Sequence, residues 1–448
     1  MTGTATLDLT DRVRESAHPL GTGPQAYDQL MQRIGDAHFV LLGEASHGTH
    51  EFYRDRVDIT KRLVTEKGFT AIATEADWPD ARRVDRYVRG KSTDATPAEA
   101  LSGFRRFPTW MWRNEDVVAL VEWLRSHNDA LPKDVPRVGF YGLDLYSLRA
   151  SMEAVMQYLE KEEPEVAKRV RERYACFDRF EKDEQVYGFL AGSGASESCE
   201  QAVVDVLLEL RRRAADSAQQ NANEDDEALF DAEQNARVAV SAERYYRMMY
   251  RGDASTWNLR DTHMVETLDA VVAHLGRQTP APKVVVWAHN SHLGDAGATE
   301  MGERGELNVG QLVRTRRGTD AVLVGFTTHH GRVTAATNWG GGAERKHVRP
   351  ALRDSYEAMF RETRTGRFLL TWHEGDALMH DMRNPKLERA IGVIYRPETE
   401  RQSHYFWARL GDQFDAVIHT DETRAVKPLE PTAEWDAGEP PETYPFGV

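Results

Sequence analysis

The 448-residue chain is 40% hydrophobic, 9% aromatic and 29% charged, which excludes disordered, collagen-like and disulfide-miniprotein classes and, at ~150 residues per domain, allows two or three domains or one large α/β domain with an insertion. Lysine and arginine number 57 against 72 acidic residues, a net charge of −15, and such a surface repels phosphate backbones, so nucleic acid is a poor partner. No run reaches the ~20 apolar residues that span a bilayer, so no membrane partner is expected; with two cysteines, Cys176 and Cys199, and no apolar leader in MTGTATLDLTDRVRES, a cytosolic setting without a disulfide framework is expected.

Short apolar runs bounded by turn residues predict strands at His38–Gly43, Phe69–Glu75 and Arg137–Asp144. Between the first two, Phe52, Val57, Ile59, Leu63 and Val64 recur at helical spacing and Gly68 supplies a stop. This is a βαβ unit, and strands alternating with helices imply a parallel sheet with helices on its faces. From about Ser151 to Leu275 strand-like runs give way to Ala- and Leu-rich charged stretches, read as an inserted helical subdomain. Within it the acidic QQNANEDDEALFD reads as a solvated inter-helix turn. Strands return at Lys283–Asn290, Ala321–Ala336, Arg367–Trp372, Ala390–Arg396 and Asp415–Thr420. The proline-bearing tail beyond Thr420 reads as an extended wrap or a flexible end. The expected fold is α/β: a central mostly parallel sheet flanked by helices, with the helical subdomain covering the cleft. Residues 1–150 and 276–448 form the core, and 151–275 form the insertion.

Ligands bind at the carboxyl edge of such sheets, and four predicted strands end there in polar residues. The first ends in Gly43-Glu44-Ala45-Ser46-His47-Gly48, the second in Glu75, the third in Asp144 and a late one in His289-Asn290-Ser291-His292. His47 precedes a helix beginning near Glu51, where the helix dipole favours a neutral, proton-accepting imidazole. It also reads as an ordinary histidine in a capped turn. Glu75 beside an apolar strand needs a partner such as His47, Arg56 or His289, in a structural or a functional pair. Arg56, one to two turns into that helix, is a candidate to neutralise a carboxylate or an oxyanion, or a solvated helix arginine. Asp144 is expected to orient another group or to meet substrate. Trp110, Trp112 and Trp257 are candidates for an apolar pocket wall, or for core. The sequence holds no GxSxG elbow, no phosphate-binding loop and no HExxH, so no nucleophile motif, nucleotide or other cofactor is indicated.

LLGEASHGTHEFYRDRVDITKRLVTEKGFTAIATEADW, GFYGLDLYSL, WNLRDTHM and VVVWAHNSHLG, in this order, resemble the erythromycin esterase family. The resemblance spans about Asp28 to Thr420. It implies an α/β core with a helical subdomain over a deep cleft, and hydrolysis of a macrocyclic lactone without an acyl-enzyme or an essential metal. It places the catalytic histidine at His47 and its acid at Glu44, with Arg56, Glu75, His289 and His292 completing the site. The chain departs from macrolide-degrading members at Ala45 and Ser46, where those carry two polar amides, so a changed pocket is expected. The first expectation is thus a metal-independent hydrolase of a small-molecule ester or lactone. The alternatives are a Zn²⁺ or Mn²⁺ hydrolase built on Glu44, His47, Glu75 and His289, and a biosynthetic acyl-transfer or ring-closing enzyme or small-molecule binder.

Overall fold

In the computed structural model, which describes residues 8–180, 184–219, 225–251 and 254–437, strands and helices alternate around one large sheet. The strands are β1 (His18–Pro19), β2 (Phe39–Leu42), β3 (Ala71–Asp77), β4 (Gly139–Asp144), β5 (Val284–Trp287), β6 (Ala321–Ala335), β7 (Glu344–Val348), β8 (Arg367–Thr371), β9 (Lys386–Arg389), β10 (Tyr405–Ala408) and β11 (Ala416–Thr423). The main sheet runs β1-β8-β11-β6-β2-β5-β3-β4, with β7 hairpinned to β6, and β9 and β10 form a separate antiparallel pair. From β11 through β6, β2, β5 and β3 to β4 every pairing is parallel. Helices cover both faces of this sheet. That explains why FVLL and VVVW are buried at every position and are apolar without alternation.

The helix His50–Lys67 lies between β2 and β3. It buries Phe52, Val57, Ile59, Leu63 and Val64 and stops where Gly68 turns left-handed at φ +73° and donates its N–H to Leu63 O. Strand β5 sits between β2 and β3, although it follows β3 by some two hundred residues in the chain. The carboxyl ends of β2, β5, β3 and β4 therefore lie side by side.

Among the described residues between Leu148 and Met248 the regular elements are all helices, and Leu148, Val155, Val170, Phe177, Val203 and Ala239 belong to an apolar cluster separate from the two that line the sheet. The next helix, Ser255–Leu275, packs Met264, Val265, Leu268 and Val271 on the sheet. Cys176 and Cys199 are joined in a disulfide inside the helical cluster, so neither is a free thiol. Among the described residues no helix is long and apolar enough to cross a membrane.

Three sequence expectations change here. Ala390–Arg396 is not a strand. Its apolar residues are held by isolated bridges, Ile391 to Ser46 and Ile394 to Ala336, with no run of consecutive ladder pairs between them. In the acidic stretch, Asp225 begins a helix that runs to Met248, and residues 220–224 lie outside the described ones. The tail begins in the extended form, where Ala425 bridges Thr49, Pro428 bridges Asn114 and Val426 is buried, and then turns into a short helix at Ala433–Ala437, while Pro440, Pro441 and Pro445 lie outside the described residues.

Candidate active site

The turn after β2 is pinned on all sides. Gly43 N donates to Val324 O, Asn290 N donates to Glu44 O, and Thr334 N and Val426 N both donate to Gly48 O. Tyr53, one helical turn further on, donates its hydroxyl to His47 O at 2.8 Å. The His47 backbone is thereby held against the rim of the sheet. Its ring places Nδ1 2.9 Å from Glu44 Oε1, and since a carboxylate only accepts, Nδ1 carries a proton and Nε2 is the nitrogen left to take up or release one. Glu44 is fully buried, and its other oxygen accepts from Arg56 Nη2 at 2.5 Å.

His47 Nε2 faces Glu75 Oε1 at 3.9 Å, and the His47 and His289 rings lie 4.8 Å apart. Glu75, at the end of β3, accepts from His289 N at 2.9 Å and from Arg260 Nη2 at 2.8 Å. Burial by itself would raise the Glu75 pKa, but His292, His47 and Arg260 hold it well below the usual carboxylate range. Arg260 also grips Asp144 with two bonds, Nε to Oδ1 at 2.9 Å and Nη2 to Oδ2 at 2.6 Å. Its guanidinium is the hub that lets two carboxylates share one buried rim.

The two late histidines differ in kind. Ser291 N donates to His289 Nδ1 at 3.2 Å, and Ser291 Oγ lies 2.8 Å from the same nitrogen. The His289 proton therefore sits on Nε2, which is buried. Burial, reinforced by His47, pushes the His289 pKa down to about 3, so this ring stays neutral. His292 instead turns Nδ1 to both oxygens of Asp261, each at 2.9 Å, and stacks on Trp257 at 4.4 Å between ring centres.

His47, Glu75, Asp144, Arg260, His289 and His292 share the floor of one cavity of about 470 Å³. Phe107, Trp112, Trp257, Trp339 and Val393 supply much of its apolar wall. The sheet thus brings together His47, Glu75, Asp144, His289 and His292 as the strand ends predict, and Trp112 lines the wall.

One alternative is selected and one expectation corrected. Arg56 takes the carboxylate-neutralising role and not the oxyanion one: it lies buried behind Glu44 between Tyr53 and Trp287, bonds Glu44 Oε2 and is outside the cavity lining. Trp110 is core rather than wall; its edge meets Phe107, which stands between it and Trp339. The sequence also offers no reason to single out Arg260 and Asp261. WNLRDTHM contains them, but only the fold shows that this helix begins at the rim.

The donor set does not gather a metal. Among the described residues no three His, Cys, Asp or Glu side chains are grouped to hold one. Glu75 and Asp144 converge on the Arg260 cation, and the Nδ1 atoms of His47 and His292 are committed to carboxylates.

The sequence pattern of the erythromycin esterase family matches residues 64–423, well over half of the chain. The chain belongs to the erythromycin esterase family. The matched stretch contains Glu75, Asp144, Arg260, His289 and His292 and begins after His47. Erythromycin esterase type II of Escherichia coli is 23% identical over 328 residues, covering 69% of this chain and 73% of that protein. Among solved structures, a succinoglycan biosynthesis protein superposes with a TM-score of 0.75 at 23% identity, over 94% of this chain and 97% of that one. An erythromycin esterase mutant in its open conformation superposes with a TM-score of 0.62 at 19% identity, over 90% and 95%. At these identities the two structures show that the fold is shared.

Proposed function

We propose that the protein hydrolyses an ester or lactone of a small molecule with water activated by His47 and without an acyl-enzyme. The observation that carries this reading is the His47 ring itself: Nδ1 is tied to Glu44, and Nε2, with its lone pair, lies on the floor of the cavity opposite Glu75. A base needs that tautomer and that exposure to substrate. Water placed at Nε2 loses a proton to it as the oxygen attacks the carbonyl carbon. Glu44, neutralised on its far side by Arg56, holds the ring in register and offsets the charge it gains. The Nε2–H of His289 and the Arg260 guanidinium are the donors nearest to the tetrahedral oxyanion, and one well-placed donor is typically worth ~3 kcal/mol. The aromatic wall suits a bulky apolar acyl or alkyl group. Acyl transfer on the same residues differs only in the nucleophile that reaches the carbonyl.

We predict that His47→Ala lowers ester cleavage by ~10²–10⁴ while circular dichroism and the unfolding midpoint stay close to wild type. Turnover of p-nitrophenyl butyrate, followed by mass spectrometry in ¹⁸O-water, makes the test. One label in the butyrate from wild type, with the His47→Ala rate collapsed, supports the reading. Unchanged activity in the variant removes His47 as base, and butyryl groups passed to an added alcohol in place of label indicate transfer.

A further inference from the structure

We propose that Asp261 is a positioning residue for this reaction: it holds His292 as a charged imidazolium at the cavity floor, where that charge joins Arg260 in opposing the negative charge that develops on the substrate. This rests on the hydrolytic reading above and adds a residue to it that lies outside the cavity lining.

The geometry is a closed dyad. Asp261 is completely buried and presents both oxygens to His292 Nδ1 at 2.9 Å, and Val309 N donates to Oδ1 at 3.0 Å, fixing the carboxylate from the opposite side. Trp257, one helical turn before Asp261, lies flat against the His292 ring, with 7° between the planes. One helix thus supplies a stacking face and an anionic anchor from residues four apart, while the ring itself comes from the turn after β5. A ring so clamped has one orientation.

The charged groups that face His292 come from three elements. Asp261 and Arg260 approach from the helix Ser255–Leu275, Glu75 Oε1 approaches its Nε2 to 3.4 Å from β3, and His289, already neutral, stands on its own turn. Arg260 Nη1, 3.1 Å from Nε2, only donates, so it bonds the neutral ring and opposes the charged one, whose Nε2–H instead faces Glu75 Oε1. Burial also works against the charge, but the Asp261 and Glu75 carboxylates outweigh both and carry the His292 pKa up to about 9. His289 and His292, three residues apart, therefore divide the work: one is a neutral hydrogen-bond donor and the other a fixed cation.

The isosteric Asp261→Asn keeps an acceptor for Nδ1 but removes the charge. Histidine ring signals of selectively ¹³C-labelled protein, with His292→Gln used to identify the His292 signal, are titrated from pH 5 to 10. In wild type His292 is expected to remain an imidazolium through pH 8 and to titrate near 9, and in Asp261→Asn to titrate two or more units lower. With p-nitrophenyl butyrate as probe, the alkaline limb of kcat moves down by the same interval, which leaves about tenfold less activity at pH 8 with KM little changed. A merely structural Asp261 would lower activity at every pH without moving the limb. The proposal is overturned if wild-type His292 titrates below pH 7, or if the variant keeps both the titration and the limb. Should Asp261→Asn fail to fold, the wild-type titration alone decides. Should wild type not cleave the probe, the hydrolytic reading suffers while the titration still reports the charge.

Discussion

Arg260 illustrates how much one side chain can hold when its neighbours are chosen by the fold. Its planar fork bonds Glu75 and Asp144 at once, its Nη1 reaches His292, and its positive centre lies 4.9 Å over the Tyr146 ring. A lysine carries the same charge on a single point and cannot grip two carboxylates in this geometry. We predict that Arg260→Lys lowers kcat/KM for ester cleavage by ~10², and that adding back guanidinium ion does more for an Arg260→Ala variant than ammonium does. Activity of Arg260→Lys within a factor of about three of wild type would show that Glu75 needs no fork. Arg56 makes the opposite point. Its position on the helix after His47 is visible from spacing, but spacing does not say whether the side chain faces the cavity or the core, and the burial of Glu44 turns it inward.

The turn from Gly43 to Gly48 works as an element because glycine begins and ends it. A Cβ on Gly48 would lie 1.9 Å from Thr334 O, the strand that accepts this turn edge-on. A methyl group there must push the turn off β6 and carry the His47 ring with it. We predict that Gly48→Ala costs about 2 kcal/mol or more in urea unfolding and removes most activity, whereas Gly68→Asn, in an open left-handed cap, changes either by little. Equal losses in the two variants would mean that the Gly48 contact has no special weight. Most elements of the core are legible from pattern, since β2, β3, β5 and the helix His50–Lys67 each show the run length and periodicity their burial demands. The misread segment, Ala390–Arg396, is apolar for another reason: it packs Ile391 against the turn that carries His47 and places Val393 on the cavity wall. Apolar runs report burial and are silent on hydrogen-bond partners.

The small β9–β10 sheet is tied to the turn after β5 through a buried carboxyl. Glu388 on β9 is completely buried and its Oε1 accepts from Asn290 Nδ2 at 3.3 Å, next in sequence to His289. Burial first, and then the neighbouring Glu357, raise its pKa to about 8. An unfolded glutamate ionises near ~4.3, so folding takes up a proton across the window between these values. The associated stability is present at acidic pH and is lost as pH rises through that window, by at most ~1.4 kcal/mol per pH unit. We predict that Glu388→Gln flattens this dependence, so that its unfolding free energy gains steadily on wild type between pH 5 and pH 8 in denaturant titrations. A constant gap between the two across that range would show that Glu388 is ionised in the folded protein.

Local chemistry determined a good deal of this molecule: where the central strands and the helix after β2 lie, and that polar residues stand at several strand ends. These follow from interactions within a few residues, such as periodicity, caps and turn glycines, and they are written in order along the chain. What the tertiary structure decided is which distant residues meet. Strand β5 enters between β2 and β3, so His289 donates to a glutamate 214 positions away. The helix Ser255–Leu275 starts at the rim, so Arg260 bonds Asp144 across 116 positions and Asp261 closes on His292 across 31. No local preference specifies such pairings. They are selected because buried charges and buried strand edges must each find a partner, and that requirement is satisfied only by the packed chain as a whole.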